Sequence, residues 1–411
     1  MQHRHHKPQS LVGICAALLL LSGQARADVV TDWNVKAGEI IVEAKMGTPP
    51  AFRLMAIVNT AMYEAANAIT RRYPSSGLRL EATPGASAEA AIAAANRATL
   101  AKLLPAQQAA IDTAYQAALA TIADGPGKTA GIAVGEKAAA AILASRLDDG
   151  AATGETYRPH TTAGAYVPTA MPAVPQWSQR KPWLMTSSAQ FRPGPPPALT
   201  SELWARDYNE VKALGAKNST RRTAEQTEIA RFWEFSLTPI YDGVVRSVAN
   251  MPGREVTRNA RLFAAVSQAT DDALIALFEA KYHYNFWRPV TAIRNGDVDG
   301  NDATGRDASW TSFIDSPMHP EYPSGHAILA GAVGAVLQAE IGTGPMPVLT
   351  TTSPSAKGAA RRWTKVNDFT QEVANARIYE GVHFRTATEI GIAMGKQIGE
   401  LAAARFIGRV D

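Results

Sequence analysis

The sequence predicts an all-α fold of packed helical bundles, in two four-helix-bundle-like halves with a long proline-rich irregular segment. Three observations predict it. Apolar residues recur at three- and four-residue intervals over long stretches, most clearly at Phe52, Met55, Val58, Met62, Ala65 and Ile69. Alternating patterns of the β type are scarce. Between residues 150 and 199 the helical period stops, and nine of the chain's 25 prolines fall there, ending in FRPGPPP.

In chain order, residues 1–27 have the anatomy of a secretory signal peptide: a basic start at Arg4 and Lys7, an apolar run from Leu11 to Leu21, and a small-x-small site at Ala25-Arg26-Ala27. The apolar run falls short of the roughly 18 residues that a membrane span needs. A periplasmic or secreted protein is expected, its mature chain starting near Asp28. Helices are expected at 52–69, 86–104, 106–123 and 128–146. Irregular chain follows at 151–199, and loops of that length are more often functional covers than free linkers. Helices resume at 200–216 and at 223–236, where Thr223 and Gln226 form a capping-box pattern. Others are expected at 257–287, 324–340, 364–379 and 384–406. Residues 28–411 read as one domain: N-terminal helices at 28–150, the cover at 151–199 and a site-bearing half at 200–411.

Composition narrows the function classes. The formal charge is +4, but Arg4, Lys7 and Arg26 lie in the leader; 41 Lys and Arg less those three leaves 38, against 37 acids. A near-neutral mature chain gives little support for a nucleic-acid partner. The one cysteine, Cys15, is also in the leader and follows no lipobox. A mature chain without thiols suits an oxidising compartment and excludes disulfides and thiolate metal sites. No later stretch is apolar enough to span a bilayer, so no membrane span is expected.

Chemistry concentrates in three short stretches: KYHYNFWRP (281–289), HPEYPSGH (319–326) and ARIYEGVH (376–383). Lys281 and Arg288 are seven apart, two helical turns, which puts both on nearly one face of a helix that Pro289 ends. Such a pair is usually a solvated face, but here aromatic residues surround it. In PSGH, Ser324 stands at an expected N-cap, and Gly325 and His326 open an apolar helix; hydroxyl, unobstructed amide and positive helix end make an anion site. Arg377 and His383 would splay on one helix, but Gly381 permits a turn that lets both face one point. Four of the five histidines outside the leader lie between 283 and 383. Together these residues read as a pocket for a tetrahedral oxyanion.

Lys-x6-Arg-Pro, Pro-Ser-Gly-His and Arg-x5-His, in that order, resemble the motifs of the superfamily uniting vanadium-dependent haloperoxidases with type 2 phosphatidic-acid and class A acid phosphatases. The resemblance implies that Lys281, Arg288 and Arg377 bind the equatorial oxygens, helped by Ser324 and the Gly325 amide. It implies that His383 bonds the central atom, as the ligand of vanadium or as the nucleophile of a phosphohistidine. His326 would be the general acid–base. Two positions depart from the pattern: Ala376 replaces a serine, and Ala387 replaces the aspartate that orients the second histidine. Without that aspartate, the orienting partner of His383 is unassigned.

FWRP, the segment through FRPGPPPALTSE and the early TPPAFRLMAIVNTAMYEAANAI are similar to bacterial and fungal haloperoxidases, and extend the resemblance over most of the chain. This implies vanadate as cofactor, with hydrogen peroxide, halide and a small organic acceptor as partners; a homo-oligomer is left open. The alternatives are a soluble acid phosphatase and a non-catalytic oxyanion-binding protein. His319 stands where fungal chloroperoxidases carry Phe and algal bromoperoxidases carry His, which implies a bromide or iodide preference; the loop HPEYPSGH equally reads as this branch's ordinary sequence. DVDGNDATGRD (297–307) lacks the glycine position and closing glutamate of a calcium loop and reads as a solvated turn.

Overall fold

One long helix, α9 (Val256–Tyr284), forms the axis on which the other elements assemble. It is buried on every side along most of its length, from Ala260 to Phe278 without a break, the pattern of a helix packed all round. The computed structural model describes residues 28–75 and 77–408; the expected signal peptide lies outside them. On one side α9 meets α2 (Thr48–Thr70), which packs against α3 (Ala88–Leu103) and α5 (Pro126–Ser145). On the other it meets α11 (Gly325–Ile341) and α13 (Arg385–Phe406), with α12 (Val366–Tyr379) against both. The all-α architecture of two bundles expected from the apolar period is therefore what the chain adopts. Among the described residues no helix is long and apolar enough to cross a membrane.

The period did not mark every element. α1 (Val29–Glu43) opens the described residues, capped by Asp28, whose carboxylate accepts from the Val30 and Thr31 amides at 3.1 and 2.9 Å. α4 (Gln108–Ala120), α6 (Glu202–Leu214) and α7 (Ala224–Trp233) fall close to the expected ranges, and Thr223 and Gln226 do form the capping box. α8 (Thr238–Ala249) and the short α10 (Pro289–Arg294) were not anticipated. Nor was the antiparallel hairpin of β1 (Leu349–Ser353) and β2 (Ala359–Trp363), which pairs Leu349 with Trp363. It turns through Lys357 and Gly358, both at positive φ.

α9 corrects one expectation. It stops at Tyr284, not 287, because Asn285 takes the left-handed conformation (φ 48°, ψ 40°), which asparagine tolerates better than most residues. Arg288 is extended (φ −78°, ψ 155°) and caps α10, as a residue before proline prefers. Lys281 and Arg288 thus do not share one helical face, because the helix ends between them.

α11 and α13 run parallel and almost in contact. A Cβ on Gly391 would stand 2.7 Å from the Ser324 carbonyl oxygen, one on Gly395 2.0 Å from that of Ile328, and one on Gly399 2.5 Å from that of Ala332. Only hydrogen fits at these crossings. The Ser324 amide also donates to the Ala387 carbonyl (2.9 Å), so both helices open at the same level.

The proline-rich stretch is tied down along its length. Tyr166 donates its amide to the Asn285 carbonyl (2.7 Å), and Trp287 to that of Gly164 (2.9 Å). The buried Arg180 guanidinium is held by Asp271 and Asp149, and the Asp272 carboxylate accepts from the amides of Trp183, Leu184 and Met185 at 2.7 to 3.0 Å. Asp299, in the acidic turn, accepts from Trp204 and Thr304 and so belongs to the internal bonding of that turn.

Candidate oxyanion site

At the common start of α11 and α13, the three sequence stretches converge. Lys281 reaches in from the end of α9, Arg288 from the extended link, Ser324, Gly325 and His326 from the head of α11, Arg377 from the last turn of α12, and His383 from the turn before α13. Gly381, at φ +77°, makes that turn, and a Cβ there would meet the Gly215 carbonyl oxygen at 2.3 Å. Gly325, His326, Arg377 and His383 line a cavity of about 340 Å³ together with His319. The N-terminus of α11, with its first amides and positive dipole end, therefore faces this space.

The Lys281 ammonium is wholly buried. It donates to the carbonyls of Pro320 (2.7 Å), Glu321 (2.9 Å) and Pro323 (2.6 Å). Burial first, then Arg288, push its pKa well down, yet three acceptors for three N–H bonds is the geometry of an ammonium. Lys281 thus clamps the HPEYPSGH loop and adds a positive charge behind it. Its donors are spent on that loop.

Arg288 donates through Nε to the His319 carbonyl (2.9 Å) and through Nη1 to the Val382 carbonyl (2.7 Å). Nη1 also lies 3.2 Å from Nε2 of His383, and Nη2 lies 3.0 Å from Nδ1 of His319. Burial lowers its pKa to about 10, so it stays a cation and a donor. Both ring nitrogens it touches must then accept, which fixes two tautomers. His319 carries its proton on Nε2, and its Nδ1 contact with the Pro320 carbonyl is not a hydrogen bond. His383 carries its proton on Nδ1.

That Nδ1 proton goes to Glu321, whose Oε1 stands 2.8 Å away and also accepts from the Phe384 amide at 2.9 Å. In place of the carboxylate missing at Ala387, one is supplied by the loop that carries the first histidine. Ala387 itself is buried among Trp204, Phe286 and Phe384. Burial pushes the Glu321 carboxyl up to about 7, while Lys281 and Arg288 pull it back. Sequence reasoning missed this residue, although it lay inside a quoted motif as the one acid between two prolines. It missed Glu380 as well, a buried carboxylate ion-paired with Arg377 and pushed up to about 8 by burial.

Buried polar atoms without partners at the site include Ser324 Oγ, Arg377 Nε and His326 Nε2, and on the acceptor side Glu321 Oε2 and Glu380 Oε1. Ser324 stands at the N-cap, as expected, but its hydroxyl caps nothing. Burial lowers the His319, His326 and His383 pKa values well below that of free imidazole, reinforced by the neighbouring cations, so the rings are neutral. Three cations face two carboxylates, Glu321 and Glu380, which leaves surplus positive charge and unmatched donors around one cavity. The donor set fits vanadate or phosphate: oxygen-seeking N–H and O–H groups with an imidazole lone pair at Nε2 of His383.

An all-helical oxyanion pocket set where two parallel helices begin, with a carboxylate-held imidazole beside it, defines the class. Residues 261–410 match the family model of the second helical-bundle domain of vanadium chloroperoxidase. The vanadium chloroperoxidase of Curvularia inaequalis is 29% identical over 204 residues, 43% of this chain and 34% of that protein, so the chain spans about a third of that relative's length. Among solved structures, a bacterial vanadium-dependent iodoperoxidase superposes with a TM-score of 0.79 at 24% identity, covering 92% of this chain and 95% of that one. An apo-type bacterial vanadium-dependent chloroperoxidase superposes with a TM-score of 0.74 at 19% identity, covering 93% and 99%. The second half of the chain is thus similar to the second bundle of vanadium chloroperoxidase, and the whole chain shares the fold of bacterial vanadium-dependent haloperoxidases.

Proposed function

We propose that the chain is a haloperoxidase that holds vanadate in this site and oxidises halide with hydrogen peroxide to a hypohalous species, bromide or iodide in preference to chloride. The observation that carries the reading is the presence of three buried, unpartnered groups able to bind an oxyanion, Ser324 Oγ, Arg377 Nε and His326 Nε2, where the three stretches converge, with His326, Arg377 and His383 lining one cavity. Buried polar groups are normally paired, so three orphans at one place call for a ligand. Vanadate, when bound, supplies Lewis-acid activation of the peroxide.

The chain's own residues bind, orient and move protons. Ser324, the Gly325 amide, Arg288 and Arg377 donate to the oxyanion's oxygens. Lys281 fixes the loop and contributes charge. His383 offers the Nε2 lone pair to the metal, with Glu321 fixing its tautomer from Nδ1 as a carboxylate fixes a metal-bound histidine. His326, neutral in its buried setting, is the group that passes a proton to or from the reacting oxygen. His319, its Nε2 proton fixed by Arg288, is the residue that tunes halide choice. Residues 1–27 are read as a cleaved export signal, which makes the enzyme periplasmic or secreted.

Metal-stripped protein, assayed with and without orthovanadate, tests this reading. Vanadate-dependent oxidation of bromide or iodide by peroxide is expected. Phosphate-ester hydrolysis inhibited by vanadate would instead make His383 the nucleophile of an acid phosphatase, and oxyanion binding without either reaction would make the chain a binding protein.

A further inference from the structure

We propose that Met318 is a self-modification site: its thioether takes up one oxygen, by way of the hypohalous acid made beside it, before that oxidant reaches the solvent. The inference rests on the haloperoxidase reading for its oxidant and on the chain's own geometry for its target. Met318 lines the cavity of about 340 Å³ together with His319, His326 and His383. Among the described residues of that wall it is the one that carries sulfur. The chain's single cysteine is Cys15, so from Asp28 onward the thioethers are the side chains most readily oxidised. The rest of the wall offers aliphatic groups, proline rings, Phe278 and imidazoles, all slower to react with a hypohalous acid.

The position of Met318 is the second observation. Its Sδ accepts from the Thr169 hydroxyl at 3.8 Å, and its carbonyl accepts from the Ala173 amide at 2.6 Å, so both side chain and backbone are held against the proline-rich cover. Thr169 is exposed and lines a separate surface depression of about 560 Å³ with Thr161, Val167 and Trp287. Met318 and Thr169 therefore form a partition between the inner cavity and this outer depression, and Met318 is half-buried rather than sealed. An oxidant crossing that partition meets the sulfur.

The step balances. Halide, hydrogen peroxide and a proton give hypohalous acid and water. A sulfur lone pair then takes the halogen, and hydroxide leaves. Water adds at sulfur, halide departs, and two protons are released, one of which joins the hydroxide as water. Sulfur loses two electrons, the halogen regains them as halide, and the thioether has become a sulfoxide. The new oxygen is a stronger acceptor than the thioether sulfur, and it stands where the Thr169 hydroxyl already donates, so the modification fastens the cover to the loop that carries His319.

The test is peptide mass spectrometry of the vanadate-loaded full chain after brief turnover with bromide and peroxide, with free methionine in solution to quench oxidant that escapes. Met171, 80% exposed, is the internal comparison. Met318 should gain one oxygen on the order of tenfold ahead of Met171, because the oxidant forms beside it, and should do so only with vanadate and bromide both present. Hypobromite added to the vanadate-free protein should reverse the order, because exposure then decides. Oxidation of Met318 no earlier than Met171 during turnover, oxidation to the same extent without bromide, or the same order with added hypobromite each overturns the proposal and leaves the haloperoxidase reading standing. A loaded protein that oxidises no bromide overturns that reading and the proposal with it.

Discussion

Glu321, on the loop that carries the first histidine, holds His383 with Oε1 2.8 Å from Nδ1. The contact sets the tautomer and leaves Nε2 as the lone pair, so it should govern how well the site binds vanadate. Partners of this kind typically contribute 10–100-fold in metal affinity. Glu321→Ala is expected to weaken vanadate binding on the order of that range, and Glu321→Gln less, because the amide oxygen still accepts from Nδ1 and the Phe384 amide. Equilibrium dialysis with orthovanadate checks this, alongside a melting curve to confirm folding. Equal affinity in wild type and Glu321→Ala would show that the ring is oriented by something else.

His319 is tied to Arg288 as firmly as it is exposed to the cavity, since Nη2 of Arg288 donates to its Nδ1 at 3.0 Å. His319→Phe removes that acceptor and leaves a buried guanidinium N–H without one, at a cost of about 1–3 kcal/mol. Two effects are expected: a changed ratio of bromide to chloride oxidation, and a lower melting temperature. Halide choice from sequence alone treats position 319 as separable from the oxyanion site; the Arg288 contact joins them. Rates measured with each halide at saturating vanadate would test it, and an unchanged ratio removes His319 from halide selection.

Much of this site was legible because its parts are chemically unusual in short windows. A serine-glycine-histidine opening an apolar helix and an arginine six residues from a histidine across a glycine are local patterns, and local patterns survive in sequence. What was not legible was long-range. That Lys281 spends its donors on three loop carbonyls depends on how HPEYPSGH folds back over α9, 39 to 42 residues later in the chain. Glu321 faces His383 across 62 positions, and no spacing rule links an acid to a ring at that distance. The helix from 256 was correctly seen as long, but its end was not. Asn285 and Pro289 both carry break signals, and the helix ends at the first of them.

Gly395 is the closest crossing of α11 and α13, where a Cβ would stand 2.0 Å from the Ile328 carbonyl oxygen and 2.8 Å from the Ala332 amide. These are backbone atoms, which cannot rotate away. Gly395→Ala should push the helices apart and destabilise the fold by about 1–3 kcal/mol, the usual cost of overpacking, despite alanine's better helix propensity. Because Ser324 and His383 stand at the heads of these two helices, vanadate affinity should fall with it. Chemical denaturation and vanadate titration of the same preparation check both. A variant as stable as wild type would mean the helices separate freely there.

Asp242 on α8 is buried beside Arg246, its Oδ2 without a partner, and burial raises its pKa from 3.8 to about 6. A raised carboxyl pKa means that the folded chain binds the proton more tightly than the unfolded chain. The group therefore costs nothing below about pH 4, where both states are protonated, and its cost grows between pH 4 and 6. Above pH 6 the cost is complete, at most about 3 kcal/mol by linkage. The attraction to Arg246, already included in the pKa, is lost with the charge. Asp242→Asn is accordingly expected to raise the melting temperature at pH 8 and to leave it nearly unchanged at pH 4. Thermal unfolding of both proteins across that range decides it; a variant that is less stable at pH 8 would make Asp242 a working partner of Arg246 and not a strained buried charge.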